Sequence, residues 1–292
     1  HVRIWKSGRG VIGASAACAW RPRDHTWEIL AYRHRSLWGT PRTVSPASVQ
    51  LMDRAFPTTF NDYDYENEHV VIAPSSPCPV LLGIRGDSSA DLPPALRIIH
   101  GEAAERWLIF ESNQGTDDHI LPQATAIPRS AGRFRDHGTS RPRTIHGGHV
   151  VFGLGGIEVT AYEPSKQFRQ VVRALVPGDC LEVIGSLRDT PRTVNLEKLR
   201  VISLRAAQTK VSNPLCPSCR VRMKSTGRDA VFRCRRCGAR APRSSAVMLR
   251  VARSLMEGWY EPPVGARRHL SKPLKRMLNT SPQPVRVCSP GL

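Results

Sequence analysis

The chain has 292 residues, enough for two or three small domains with cores of their own, and its 40% hydrophobic content excludes a chain disordered throughout. With 43 Lys and Arg against 24 Asp and Glu the net charge is +19, and from Arg205 onward there are 19 basic residues against 3 acidic. A basic carboxy-terminal third points to a polyanion as partner, nucleic acid before anionic membrane, and no apolar run reaches the ~18 residues of a membrane helix.

Taken in chain order, the start His1-Val-Arg-Ile lacks a methionine and carries no secretory signal, as a fragment or processed piece would. Gly10 to Trp20 is small and apolar, Arg21-Pro-Arg-Asp-His25 is a turn, and Thr26 to Arg33 alternates as a strand does; together they read as a β-hairpin. Ser45 to Phe56 has helical spacing behind a Ser-Pro start. His69 to Ala73 and Val80 to Ile84 are short strands, Ala90 to Gly101 is a second helix, and Glu105 to Glu111 the last strand. The order β-β-α-β-β-α-β predicts an α+β sheet with helices on one face over residues 1–116, of the ferredoxin type.

Residues 117–144 carry Pro122, Pro128, Gly132, Gly138 and Pro142 and read as a linker or entry segment. From 145 to 207 short strands (His149–Phe152, Gly156–Tyr162, Cys180–Gly185, Leu196–Ser203) flank a helix-like Lys166–Leu175. The turn Pro177-Gly-Asp179 precedes the third of these strands, and the pattern fits a small oligonucleotide-binding (OB) β-barrel or a β-sandwich fragment.

Cys216-Pro-Ser-Cys219 and Cys234-Arg-Arg-Cys237 are two CxxC knuckles, the spacing of a zinc ribbon over residues 208–241. Filling all four positions with cysteine leaves no open coordination site, so the zinc is structural. Arg220, Arg222, Lys224, Arg228, Arg233, Arg235 and Arg236 surround it, and residues 242–292 read as a basic extension. His146 and His149 read as strand or turn residues; Cys18, Cys78 and Cys180 read as core filler and Cys288 as a free thiol on a tail. Two CxxC pairs among eight cysteines suit a reducing cytoplasm.

One stretch resists a bland reading. Trp107-Leu-Ile-Phe110 feeds into Glu111-Ser-Asn-Gln-Gly-Thr-Asp-Asp-His119, nine nearly all polar residues that suit a surface turn, a metal site or the lip of a pocket for a charged ligand. Read with Gly8 to Gly13, Ser76 to Gly86, Tyr162-Glu-Pro-Ser-Lys-Gln-Phe-Arg169, Asn195-Leu-Glu-Lys-Leu199, the zinc knuckles and Ala266 to Leu274, it resembles one family. That family is the archaeal tRNA-Ile agmatinylcytidine synthetases (TiaS), and the resemblance spans nearly the whole chain.

The resemblance implies a ferredoxin-like domain, an OB barrel and a zinc ribbon. A kinase-like module that opens on Asp-Asp-Thr-Asp-Ser in the family has no counterpart string here, and no P-loop replaces it, so a separate catalytic domain or subunit is expected. It implies an ATP-dependent ligase that phosphorylates the C2 oxygen of the wobble cytidine in an isoleucine tRNA with a CAU anticodon. The amine of agmatine then displaces that oxygen, with Mg²⁺ or basic side chains on the phosphates. Arg9, Asn113, Gln114, Thr116, Asp117 and Asp118 are its agmatine or ATP-side candidates. Lys166, Arg169, Arg267, Arg268, Lys272, Lys275 and Arg276 are its tRNA-binding candidates. Cytoplasmic, with no membrane partner, is the expected placement. The rival reading is a non-enzymatic tRNA or single-strand binder built on barrel and ribbon.

Overall fold

In the computed structural model the described residues are 8, 10–121, 131–227 and 231–278. The first unit runs α1 (Val11–Ala19), β1 (Thr26–Tyr32), α2 (Pro46–Ala55), β2 (Thr59–Phe60), β3 (Tyr63–Asp64), β4 (His69–Val70), β5 (Val80–Gly86), α3 (Leu92–Ile98) and β6 (Arg106–Ser112). Strands β2-β5-β1-β6 form an antiparallel four-stranded sheet, and β3 and β4 pair as a separate hairpin. Ser45 caps α2 by accepting from the Ser48 N–H, with Pro46 in the first turn where its missing N–H costs nothing. Alternation along β1 and β5 sends Ile29, Ala31, Leu82 and Ile84 to the helices, where they bury against Val49, Met52, Leu92 and Ala95.

One element departs from its expected class. Val11–Ala19 is a helix with no buried residue, not a hairpin strand. A short run of small apolar residues has no period that separates strand from helix, and alanine, the best helix former, decides locally.

The second unit holds β7 (Ala131–His137), β8 (Arg143–Thr144), β9 (Val150–Leu154), β10 (Ile157–Ala161), α4 (Phe168–Arg173), β11 (Cys180–Asp189) and β12 (Arg192–Ser203). They form a sheet in the order β7-β11-β12-β10-β9-β8, parallel only at β10–β12. The sheet curls until its first strand meets β9: Gly138 bridges Leu154, and the Thr139 N–H donates to the Gly153 carbonyl at 2.9 Å. Val150, Phe152, Phe168, Val172, Leu181 and Val201 bury inside the curl. A Cβ on Gly185 would lie 2.0 Å from the Asn195 carbonyl oxygen, so only glycine admits the close β11–β12 approach there. β7 lies within the 117–144 stretch read as a linker or entry segment, so the sheet starts inside it.

The chain then leaves the sheet along β13 (Ala207–Ser212), builds the cysteine module with β14 (Lys224–Ser225), β15 (Phe232–Arg233) and β16 (Arg240–Ala241), and returns along β17 (Val247–Val251). β13 and β17 form a two-stranded stalk. Both legs are tied at their base to the buried Asp179, which accepts from the Arg205 N–H at 2.9 Å and from Arg253 Nη1 and Nη2 at 2.5 and 2.8 Å. β18 (Gly258–Tyr260) joins the edge of β12, and α5 (Leu274–Leu278) ends the described chain. Residues 251–278, within the stretch read as a basic extension, carry β18 and α5. No helix among the described residues is long and apolar enough to cross a membrane.

Candidate functional site

The polar stretch after β6 is a joint between three parts of the molecule. It turns back over the sheet face opposite the helices, where Gln114 Nε2 donates to Glu28 Oε2 at 2.7 Å and the Thr26 hydroxyl to the Gln114 carbonyl at 2.8 Å. Gly115 sits at φ +70°, and a Cβ there would press within 2.8 Å of the Phe60 ring. Its N–H donates to the His269 carbonyl, and that of Asp117 to the Leu270 carbonyl, so the loop is bonded along the carboxy-terminal segment.

Asp117 is the centre of this joint. Both its oxygens lie 2.6 Å from Nζ of Lys198 on β12, whose side chain is 0% exposed, and the Lys272 N–H donates to it at 2.7 Å. Beside it, His119 Nε2 contacts Glu197 Oε2 at 2.9 Å, and Arg268 Nη1 donates to the other oxygen of Glu197 at 2.9 Å. Burial opposes ionisation of Glu197, but His119 and Arg268 outweigh it and hold the carboxyl below its usual range.

The agmatine and ATP-side candidates thus divide. Gln114, Thr116 and Asp117 are committed internally, Thr116 by donating to the Asn113 carbonyl at 2.6 Å. Asp118 is exposed, accepts from Trp20 Nε1 at 3.1 Å, and lies 3.4 Å from Asn113 Nδ2, so Asn113 and Asp118 form the accessible lip beside the end of α1. Arg9 lies outside the described residues.

The carboxy-terminal cations are spoken for as well. Arg276, with a side chain 7% exposed, bonds Asp87 at 2.6 Å, Asp24 at 3.0 Å and the Gly115 carbonyl. Lys272 pairs with Asp24 at 2.9 Å, and Arg267 with Glu261 at 2.9 Å while donating to Asn61 of the first unit. Lys275 donates to the Thr59 carbonyl at 2.6 Å. Arg268 is the most open of the five, at 55% exposure, though paired with Glu197. These residues join the carboxy-terminal segment to both sheets. Of their partners, Glu197 and Lys198 fall within the string Asn195-Leu-Glu-Lys-Leu199 that carries the resemblance, without being named as site residues, whereas Asp24, Asp87 and Glu261 give no local signal.

Around α4, Arg169 is held by Glu163 and by the Gly148 carbonyl, whereas Lys166 is exposed and has no side-chain partner among the described residues. His149 accepts from the Glu163 N–H in a turn. Cys18 is exposed and Cys78 is held by Arg42, so of the three cysteines read as core filler only Cys180 is buried; Cys288 lies outside the described residues.

Cys216, Cys219, Cys234 and Cys237 bring their sulfurs within 4.8 Å of one another, with Cys216 and Cys237 at 3.5 Å. The edge of a tetrahedron of thiolates around zinc is about 3.8 Å, so the set fits that ion. Hydrogen bonding to Cys237 pushes the Cys219 thiol up to about 12, and the Cys237 backbone N–H lowers Cys234 to about 7. Four crowded thiols cannot all ionise alone, and a dication is what brings them to thiolates together. Among the described residues Cys216, Met223, Phe232 and Cys234 form the module's small buried cluster, with Pro214 buried as well. Arg233, Arg235 and Arg236 are exposed on its surface, and Arg228 lies outside the described residues.

Asp62, next to the joint, is 2% exposed, and neither of its oxygens has a hydrogen-bond partner among the described residues. Burial pushes its carboxyl up to about 7. Between pH about 4 and 7 the folded protein holds a proton on Asp62 that the unfolded chain has released, so stability falls as pH rises through this window. Asp62→Asn is neutral at every pH. Its advantage over wild type is expected to grow from pH 5 to pH 8 by on the order of 3 kcal/mol. Thermal melts at both pH values check this, and a pH-independent difference contradicts it.

Comparison with known proteins completes the site. The family model for the TiaS FLD domain matches residues 8–119, and that for the TiaS C-terminal zinc ribbon domain residues 213–255. The isoleucine-tRNA 2-agmatinylcytidine synthetase TiaS of Methanocaldococcus jannaschii is 41% identical over 93% of this chain and 65% of its own length. That of Methanopyrus kandleri is 42% identical over 93% of this chain and 67% of its own. The crystal structure of a TiaS complex with its isoleucine tRNA and ATP superposes with a TM-score of 0.79 at 39% identity, covering 96% of this chain and 67% of that one. A zinc-ribbon-deleted TiaS mutant in complex with agmatine gives 0.74 at 34% identity, covering 97% of this chain and 70% of that one. The chain spans about 65% of the length of the first curated relatives it matches.

Proposed function

The chain belongs to the TiaS family, and from that premise we propose that it serves the ATP-dependent joining of agmatine to the wobble cytidine of an isoleucine tRNA with a CAU anticodon. The observation that carries this reading is the identity of about 40% across both sheets and the zinc module to proteins named for that reaction. A cytosine carbonyl is a poor electrophile. ATP phosphorylates its oxygen, and the agmatine amine then bonds to C2 as the oxygen departs with its phosphoryl group; Mg²⁺ would screen the phosphate charge.

Within this scheme the chain's own residues have distinct work. The order β2-β5-β1-β6 with both helices on one face supports a ferredoxin-like first domain. Meeting of β7 with β9, the parallel β10–β12 pair and α4 between β10 and β11 support an OB-type second domain. The four cysteines hold a structural zinc. Asn113 and Asp118 face the amine, the carboxylate countering its cationic end. Lys166 and the exposed arginines of the zinc module meet tRNA phosphates, whereas Arg267, Lys272, Lys275 and Arg276 fix the domains against each other. Cytoplasmic placement suits a site of unoxidised thiols.

A chimaera tests the reading. The matching two-thirds of the Methanopyrus kandleri enzyme is replaced by this chain and supplied with ATP, agmatine and CAU isoleucine tRNA. Nucleoside mass spectrometry is expected to find 2-agmatinylcytidine; a folded chimaera that forms none, beside an active parent, overturns the proposal.

A further inference from the structure

The two edges of the first sheet are finished differently. In the order β2-β5-β1-β6 one edge is β2, two residues long, with Thr59 and Phe60 both buried. The other is β6, seven residues long, and it pairs with β1 in unbroken register from Arg106 to Ser112. Among the described residues no strand pairs with its outer side. Every second residue of such an edge turns its N–H and C=O away from the sheet, a row of donors and acceptors open to another chain.

The side chains of β6 do nothing to close that edge. Trp107, Leu108 and Phe110 are 46%, 53% and 41% exposed. Trp107 lies opposite Ala31 on the helix side of the sheet, whereas Leu108 and Phe110 lie opposite Leu30 and Glu28 on the other face. The strand is therefore apolar on both faces, the pattern of a strand inside a sheet and not of a solvated edge. Soluble chains keep an edge solitary with a central charge, a proline or a bulge. Trp107-Leu-Ile-Phe110 carries no charge and no proline, and its register has no bulge.

The relatives have chain to place there. This chain covers 65% of the Methanocaldococcus jannaschii enzyme and 67% of the Methanopyrus kandleri enzyme, and the rest of each lies outside the match. We propose that β6 is the docking strand for that remaining part, one strand of which adds to its outer side. The added main chain bonds the free N–H and C=O groups of β6, and its apolar side chains cover Leu108 and Phe110 on one face and Trp107 on the other. β6 ends at Ser112, one residue before Asn113, so the added part comes to lie beside the lip of Asn113 and Asp118. This rests on membership of the TiaS family and on no step of the proposed reaction.

Hydrogen exchange tests it in two proteins, this chain alone and the chimaera in which it replaces the matching part of the Methanopyrus kandleri enzyme. The outward amides of β6 are expected to exchange fast in the chain alone and to become protected in the chimaera. Leu108→Lys puts a charge at the centre of the edge. It should leave the melting of the chain alone unchanged, because that side chain is already exposed, and abolish the new protection in the chimaera while β1 and β5 keep theirs. Leu108→Val, apolar and suited to a strand, should retain the protection. Equal exchange of β6 in the chain and in a chimaera whose β1 and β5 are protected overturns the proposal. So does protection in the chain alone that rises with concentration together with a dimer in sedimentation, since a second copy is then the occupant. A chimaera that protects β6 yet forms no 2-agmatinylcytidine defeats the proposed reaction and leaves the docking strand standing.

Discussion

Replacing Lys198 by methionine is expected to destabilise the protein by about 3–5 kcal/mol, the cost of leaving a buried carboxylate without its cation. Lys198 is wholly buried, and Asp117 keeps only the Lys272 N–H and its shielded position once the ammonium is gone. Burial by itself lowers the Lys198 pKa, and the proximity of Asp117 works against that shift, so each charge justifies the other. The double variant Asp117→Asn, Lys198→Met removes both charges, and asparagine tolerates the φ of 60° at position 117. It is expected to recover much of the loss, with a coupling of about 1–3 kcal/mol between the sites. Urea unfolding of the four proteins measures this directly. Strict additivity contradicts the view that this pair acts as one unit.

The second large effect concerns the metal. Among the described residues of the cysteine module only Pro214, Cys216, Met223, Phe232 and Cys234 are buried, two of them ligands, too little apolar surface to offset the module's own ordering entropy. Removing zinc with a chelator is expected to abolish protection of residues 213–227 and 231–246 from hydrogen exchange. The first unit and the curled sheet, each with its own core, should keep theirs. The β13–β17 stalk should fray with the module, since a two-stranded ribbon is marginal on its own and its outward side chains Val247, Leu249 and Val251 are exposed. Retention of protection in the metal-free module contradicts a structural role for the ion.

Several parts of this architecture were open to reading from the residues because the signals were local. The Ser45-Pro46 start of α2, the alternation of β1 and the two CxxC knuckles each depend on neighbours within a few positions. Other parts were not legible for equally physical reasons. β7 reads Ala131-Gly-Arg-Phe-Arg-Asp-His137, poor in β-branched residues, and owes its strand form to pairing with β11. The carboxy-terminal cations have the composition of a polyanion site, but their partners lie far away in the chain, Asp24 being 252 positions from Arg276. A charge run tells how many cations there are, not which are already paired. In the polar stretch from Glu111 to His119, Gln114, Asp117 and His119 bind charged groups of the chain itself, and Asn113 and Asp118 stay accessible.

The same distinction bears on the proposed engagement of tRNA. Arg267, Lys272 and Arg276 are committed to carboxylates, whereas Lys166 and Arg233, Arg235 and Arg236 of the zinc module are exposed. Loss of the module should therefore weaken tRNA binding more than loss of any one residue of the carboxy-terminal segment, provided the domains stay joined.

The most direct measurement is binding of the zinc-loaded chain to a CAU isoleucine tRNA transcript, titrated with salt, beside an unrelated tRNA of equal length. The account predicts tighter binding to the isoleucine tRNA and a steep linear fall of log affinity with log salt, since each phosphate contact releases counterions. Equal, weak affinity for both transcripts would contradict it, leaving the net charge of +19 as no more than a non-specific attraction.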